Sequence, residues 1–226
     1  MKIIELEETD STNEYLKRLD GEEDTIVTAV RQTAGKGTKG RSFSSADGGL
    51  YISVMRFYEN FPASNAFKIM VDSCVAVCKT LEFFGINPTI RWANDVLVNG
   101  RKICGTLIEN TFAAANIRRS IVGMGINVNN TLPSELKDIA VSMREIAGKK
   151  FDLQAVKNVH IASLQKSFTV ADYKKYIKWF GKEVTLHTDS ETYTATALDI
   201  TDEGRLVVNR NGKVIEISSA EVSLRL

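Results

Sequence analysis

The stretch RWANDVLVNGRKICGTLIE, Arg91–Glu109, carries two β-rich runs on either side of Asn99-Gly100. Asn-Gly offers two successive positions that tolerate positive φ, which a two-residue hairpin turn needs if its twist is to match its strands. The spacing therefore predicts a hairpin with Lys102 opening the return strand, where its amine can reach into a neighbouring site. Singly, these residues have plain readings: Trp92 as core, Asp95 as a turn residue, Lys102 as a solvated cation. Taken with the segments around them, they point to a built site.

Working outward, Phe67, Met70, Val71, Cys74, Val75, Cys78 and Leu81 recur at i, i+3, i+4 spacing from Ala66, the pattern of a helix with one buried face. Gly85 ends it and Pro88 prevents a restart. Downstream, SIVGMGINVN reads as a strand from Ser120 to about Val128, closing on the polar pair Asn127 and Asn129. Helical stretches are predicted over Pro133–Ala147 and Leu153–Trp179, the second open to interruption at Thr169 and Val170. Upstream, DSTNEYLKRLDG opens a helix for which Ser11 and Glu14 have the spacing of a capping box. Thr25–Val30 and Leu50–Phe57 read as strands. After Trp179 the texture shifts to short strands separated by Asp-Ser, Asp-Glu-Gly and Asn-Gly turns. This predicts a small all-β barrel of about five strands and a domain boundary near Lys178. The class is α+β, with domains 1–178 and 179–226.

The stretch RQTAGKGTKGRSF, Arg31–Phe43, concentrates glycine and positive charge. Glycine brings backbone amides close to a ligand, consecutive amides form an anion-binding nest, and Lys36, Lys39 and Arg41 add full charges. The pattern suits a phosphate or carboxylate, and the glycines leave the loop free to order only when a ligand arrives. It is not a P-loop, which needs Gly-Lys followed by Ser or Thr after Gly-x4. Nor is it a dinucleotide fingerprint, since no long helix pattern follows. A flexible surface turn with solvated lysines is the plain alternative.

Lys plus Arg (29) nearly balances Asp plus Glu (28), so the basic cluster is local and argues against a nucleic-acid partner. No apolar run spans a bilayer, and the acid-rich start is unlike a signal peptide, so a cytoplasmic protein with no membrane partner is expected. Three cysteines make a disulfide framework improbable on parity. Cys74 and Cys78 have helix-face spacing with neither histidine, His160 or His187, near in sequence. They read as core residues, with no structural metal site.

Five of these segments, in order along nearly the whole chain, resemble the biotin–protein ligases. DSTN is similar to that family's DSTN motif. QTAGKGTKGRSF is similar to its GRGRxGRxW loop, and GGLYISV lies where the family has a like segment. RWANDVLVNGRKICGTLIE is similar to KWPND…K…GxLxE, and GMGINVN to GxGxNxN. The closing strands resemble the family's small SH3-like barrel. The resemblance implies a catalytic domain with a mixed sheet and packed helices. It also implies the short, monofunctional class, since the motifs begin at Asp10 with no room before them for a DNA-binding domain.

Carried over position by position, the resemblance assigns Ser11, Thr12, Asn13 and Gln32 to biotin. Gly35, Lys36, Gly37 and Thr38 fall in the loop that closes over biotin and its adenylate, and Gly105 beside the biotin pocket. Lys102 contacts the carboxylate and phosphate region, with Lys39 and Arg41 as further catalytic cations. Trp92, Asn94, Asp95 and Asn127 fall in the ATP and Mg²⁺ region. The implied reaction joins biotin to ATP as biotinyl-5′-AMP, releasing pyrophosphate, then passes biotin to a lysine of a biotin carboxyl carrier protein. A homodimer is implied. Lys36 and Thr38 stand where arginine is common, Phe43 where Trp is common, and Arg91 and Ala93 where Lys and Pro are. Lys36 keeps its charge but loses the bidentate fork. A lipoate-protein ligase of related fold and a non-catalytic biotin-binding protein are the rival readings.

Overall fold

The computed structural model describes residues 1–188 and 190–218, with Lys39 and 223–225 described in backbone only. A seven-stranded mixed sheet forms the larger part. Its strands are β1 (Lys2–Thr9), β2 (Thr25–Gln32), β3 (Leu50–Pro62), β4 (Thr89–Arg91), β5 (Asp95–Val98), β6 (Arg101–Ala113) and β7 (Asn116–Ile126), in the spatial order β1-β2-β3-β7-β6-β5-β4. Only β1 and β2 run parallel; the other pairs are antiparallel.

The predicted Asn-Gly hairpin joins β5 to β6, with Asn99 at φ 51° and Gly100 at φ 77°. Sequence reading missed β1. It is an edge strand with three glutamates among eight residues, and only Ile4 and Leu6 turn to a small apolar cluster.

Successive strand residues face opposite sides, and the two sides differ. Behind the sheet lies α2 (Ala66–Phe83), the helix its spacing predicts, with Val71, Cys74, Val75, Cys78 and Leu81 all fully buried. Ile52 and Val54 of β3 and Val122, Met124 and Ile126 of β7 meet it in one core. Beside α2 lie α4 (Leu153–Leu164) and α5 (Val170–Lys174). Thr169 caps α5 in a full capping box with Asp172, so the stretch is interrupted as predicted, but over 165–169 with Val170 already helical, and it ends at Lys174 short of Trp179. On the front face a single short helix, α1 (Thr12–Lys17), seats Leu16 on Val27, Met55 and Ile121.

Two local expectations fail. Ser11 is the N-cap of α1, but its side chain makes no capping bond. Glu14 turns away to Lys17 and Lys36 at 2.8 and 2.7 Å, and the Ser11 N–H it would have capped donates instead to Asp10 Oδ1 at 2.8 Å. The helix expected over Pro133–Ala147 shrinks to a single 3-10 turn and α3 (Met143–Ala147). Between them the chain turns through 137–139 and then bridges Lys102 at Ala140: the Lys102 N–H donates to Ile139 O at 2.8 Å and its carbonyl accepts from Val141 N at 2.9 Å.

The C-terminal strands β8 (Glu183–His187), β9 (Thr192–Ile200), β10 (Leu206–Arg210), β11 (Lys213–Ile217) and β12 (Ser223–Arg225) form an antiparallel sheet ordered β11-β10-β9-β8-β12. Five strands were expected. The expected closure is corrected: among the described residues the two edge strands, β11 and β12, do not pair, so the sheet is open rather than a closed barrel.

Candidate active site

Three glycines on the front face define the site. Gly105 of β6 pairs in register with Gly125 of β7, and Gly123 lies two residues back along β7, opposite Ser53 of β3. Without side chains they leave a slot in the sheet surface, and a residue from elsewhere roofs each one. A Cβ on Gly123 would overlap Asn13 Oδ1, one on Gly125 would overlap the Phe43 ring, and one on Gly105 would meet Lys102 Cε at 2.7 Å. Asn13, Phe43 and Lys102 thus line up along one strip of sheet.

At the Lys102 end, the ammonium pairs with Asp95 Oδ1 at 2.6 Å, and Arg91 Nη2 donates to Asp95 Oδ2 at 2.7 Å. The hairpin register that sets Asp95 opposite Gly105 brings this carboxylate to the lysine. Asn94 serves the structure, exchanging bonds with Thr106 (Asn94 Nδ2 to Thr106 O 3.0 Å; Thr106 N to Asn94 O 3.1 Å). Trp92 is buried, and its indole N–H donates at 3.0 Å to Gly204 O in the turn between β9 and β10. It braces the segment from behind. Asn127 is buried at the end of β7 and accepts from Asn130 Nδ2 at 3.0 Å. Beyond it opens a cleft lined by Asn130, Thr131, Leu132, Lys137, Ser142, Arg144 and Glu145.

The Asn13 end is a polar chain. Gln32 Oε1 accepts from Thr12 N (2.8 Å) and Thr12 Oγ1 (3.0 Å). Gln32 Nε2 donates to Ser45 Oγ at 2.7 Å. Ser53, fully buried on β3, lies 2.6 Å from both Thr12 Oγ1 and Asn13 Oδ1. Asn13 Nδ2 donates to Glu109 Oε2 at 2.8 Å. Ser11 is buried at the start of this helix.

The basic loop closes over the strip as a small hairpin. Lys36 bridges Ser42, Gly37 N donates to Arg41 O at 2.7 Å, and Phe43 N donates to Gly35 O at 2.8 Å. Gly35 must lack a side chain, because a Cβ there would sit 2.5 Å from Phe43 O and 2.6 Å from Ser45 Oγ. Lys36 reaches Glu14, and Lys17 and Lys36 hold that carboxyl below its ordinary pKa. Thr38 is half-buried and Lys36 and Arg41 are exposed, so these two cations stand at the rim, with Lys102 deeper. The side chain of Lys39 lies outside the described residues. Phe43 rests edge-on to Tyr51, 6.4 Å between centroids, and Tyr51 Oη donates to Ala46 O at 2.5 Å.

No thiol competes as a nucleophile. Burial pushes the Cys74 thiol up to about 12 and raises Cys78 and Cys104 as well. Among the described residues no three His, Cys, Asp or Glu side chains gather as a metal site.

Sequence reading found the three roofing segments but missed Ser45, Ser53, Glu109, Gly123 and Gly125. The alternating glycines of GMGIN were a usable signal, since glycine inside a strand marks close approach. Glu109 closes the GxLxE resemblance but was given no role, and Ser53 left no signal; their partners are 96 and 40 residues away.

A glycine strip in a mixed sheet, covered by a lysine, an aromatic ring and a basic hairpin, suits a small acid held against a cation. Comparison with known proteins agrees. Residues 5–127 match the biotin/lipoate A/B protein ligase family and 180–225 the biotin protein ligase C-terminal domain. The chain belongs to the biotin/lipoate A/B protein ligase family. It is 33% identical to the bifunctional ligase/repressor BirA of Bacillus subtilis, over 97% of this chain and 72% of that protein. It is 24% identical to the biotin–[acetyl-CoA-carboxylase] ligase of Mycobacterium tuberculosis, over 87% and 77%. The biotin protein ligase of Aquifex aeolicus, solved with biotin and ATP, superposes with a TM-score of 0.81 at 30% identity, covering 99% of this chain and 98% of that one.

Proposed function

We propose that this chain activates biotin with ATP and transfers it to a lysine of a biotin carboxyl carrier domain. The observation that carries this reading is Lys102, drawn across Gly105 on the slot floor and held by Asp95. In the first step a biotin carboxylate oxygen attacks the α-phosphorus of ATP, the bond to pyrophosphate breaks, and biotinyl-5′-AMP forms. The obstacle is an anion attacking an anion. Lys102 offsets that repulsion where charge builds up, with Lys36 and Arg41 supplying charge from the rim and Lys39 a further loop cation. In the second step a carrier lysine amine attacks the anhydride carbonyl, the bond to AMP breaks, and the amine gives up a proton as the amide forms.

Ser11, Thr12, Asn13 and Gln32 form the wall for the ureido head. Gly105 leaves room for Lys102 to lie across the strand beside the ligand, and the hairpin Gly35–Phe43 shields the anhydride from water. Trp92, Asn94, Asp95 and Asn127 frame the nucleotide side, with Trp92 acting as a brace. Asp95, a single part-buried carboxylate, fits a Mg²⁺ that arrives with the nucleotide, since such ions take one or two protein carboxylates plus phosphate oxygens and neutralise phosphate charge. We assign residues 1–178 to catalysis and 179–226 to the C-terminal unit, in keeping with the two family matches. A cytoplasmic homodimer completes the proposal. No described helix is long and apolar enough to cross a membrane.

The test is a two-stage assay. Biotin plus ATP is expected to release pyrophosphate, and radiolabelled biotin is expected to reach a carrier domain. Lipoate supporting both stages in place of biotin would overturn the assignment.

A further inference from the structure

We infer that Glu109, on β6, is a positioning residue that fixes the hydrogen-bond polarity of the head-group wall and thereby sets affinity for biotin. The inference rests on the function proposed above.

The polar chain on the front face has fixed ends. At one end Ser45 Oγ donates to the carbonyl of Phe43 at 3.2 Å. At the other Asn13 Nδ2 donates to the Glu109 carboxylate at 2.8 Å. A carbonyl and a carboxylate can only accept, so each end dictates the direction of the bonds leading to it. From the Phe43 end, Ser45 commits its hydrogen to the carbonyl and must accept from Gln32 Nε2. That turns Gln32 Oε1 toward Thr12, whose N–H and hydroxyl both donate to it. From the Glu109 end, Asn13 must present Nδ2 to the carboxylate and Oδ1 inward. One Ser53 hydrogen is then shared between Asn13 Oδ1 and Thr12 Oγ1, both at 2.6 Å. The middle of the chain therefore has more lone pairs than hydrogens. A wall of that polarity favours a ligand that brings N–H donors, which a cyclic urea has and a dithiolane ring lacks.

Glu109 is the one carboxylate in this polar chain, and both its oxygens are committed. Oε2 takes Asn13 and Oε1 takes Lys17 Nζ at 2.6 Å, and Lys17 also pairs with Glu14, which holds Lys36 of the loop. The same carboxylate thus ties the wall to helix α1 and to the hairpin above it. Replacing it by an amide of the same shape removes the directing rule. A glutamine there can offer its NH₂ to Asn13, which lets the Asn13 amide turn over and aim Nδ2 at Ser53.

The experiment compares wild type, Glu109→Gln and Glu109→Asp in the full chain. Biotin binding is measured calorimetrically without ATP, and pyrophosphate release over a range of biotin concentrations. Glu109→Gln is expected to raise the biotin Kd and the KM for biotin about tenfold, the worth of one misdirected buried hydrogen bond. Its kcat at saturating biotin and its KM for ATP should stay within about twofold, and the melting temperature should barely move, since the residue is partly exposed. Desthiobiotin, which keeps the urea, should weaken by the same factor. Glu109→Asp keeps an acceptor and should recover most of the affinity. A Glu109→Gln protein with wild-type biotin Kd overturns the inference, as does one that loses kcat at unchanged KM. If the Glu109→Gln protein fails to fold, Glu109→Asp losing as much affinity as a Thr12→Ala control overturns it instead. A wild-type protein with no biotin binding at all would refute the proposed function and is distinguishable from either result.

Discussion

The two faces of the larger sheet are made by alternate residues of the same strands, yet they do opposite work. On β7, Val122, Met124 and Ile126 enter the core behind the sheet, while Gly123 and Gly125 face forward as a bare floor. On β3, Ile52 and Val54 go back, and Tyr51 and Ser53 go forward into the site. The rear buries continuous apolar surface and stabilises the fold. The front gives up that burial for a slot and a directed polar chain. Period-2 alternation lets one strand serve both, so stability and chemistry can be perturbed almost separately.

The largest expected effect is on the rear face. Leu81, fully buried on α2, contributes packing alone. Leu81→Ala should cost about 2–5 kcal/mol of unfolding free energy, read from denaturant titration, through lost burial and the cavity left behind. Adenylate formation measured well below the transition should stay near wild type, and a large kinetic loss there would break the separation.

Next comes its front-face counterpart. Lys102→Met removes the cation from the floor and should slow biotinyl-AMP formation by roughly 30- to 1000-fold, about 2–4 kcal/mol of transition-state stabilisation. Stability should fall by only about 1 kcal/mol, because Asp95 keeps Arg91 as a partner. Near-wild-type adenylation by this variant would remove Lys102 from the mechanism.

The smallest effect sharpens the picture of the rear face through pH. His160 on α4 is fully buried, its Nδ1 3.0 Å from Thr80 Oγ1 of α2 and its Nε2 without a partner among the described residues. Burial depresses its pKa to about 4. The unfolded chain takes up this proton near pH 6.5 and the folded chain only near 4. Stability is therefore intact above pH 6.5 and falls as pH drops toward 4, by up to about 3 kcal/mol. His160→Gln should flatten the melting-temperature profile across that window, and an unchanged slope would assign the acid sensitivity elsewhere.

The periodic parts of this molecule were legible in its sequence. Helix α2, the Asn99-Gly100 turn and the strands leading to Lys102 and Asn127 all follow from spacing and turn chemistry. The misses share a cause. Glu14 had the spacing of a capping box, but Lys36, 22 residues on, claims it in space. Pro133–Ala147 had helical periodicity, but its middle turns and bridges the backbone of Lys102. Ser53 looks like an ordinary strand residue, and Glu109 like the end of a motif with no role, until the sheet order places them beside α1. Local pattern encodes elements; partner choice across the sheet decides which polar residues matter.

The indole of Trp92 bonded to the carbonyl of Gly204 has a consequence for how the protein can be handled. Gly204 sits at φ 84° with its Cα pressed so near the Phe67 ring that a methyl group would overlap it. Around that contact, Val184, Leu186, Ile200 and Leu206 of the C-terminal sheet belong to the same apolar cluster as α2. The boundary proposed at residue 178 follows a change in the texture of the chain, while one apolar cluster runs across it. A gene cut there would yield two fragments with raw hydrophobic wounds, and the segment that carries Asp95 would lose its backstop.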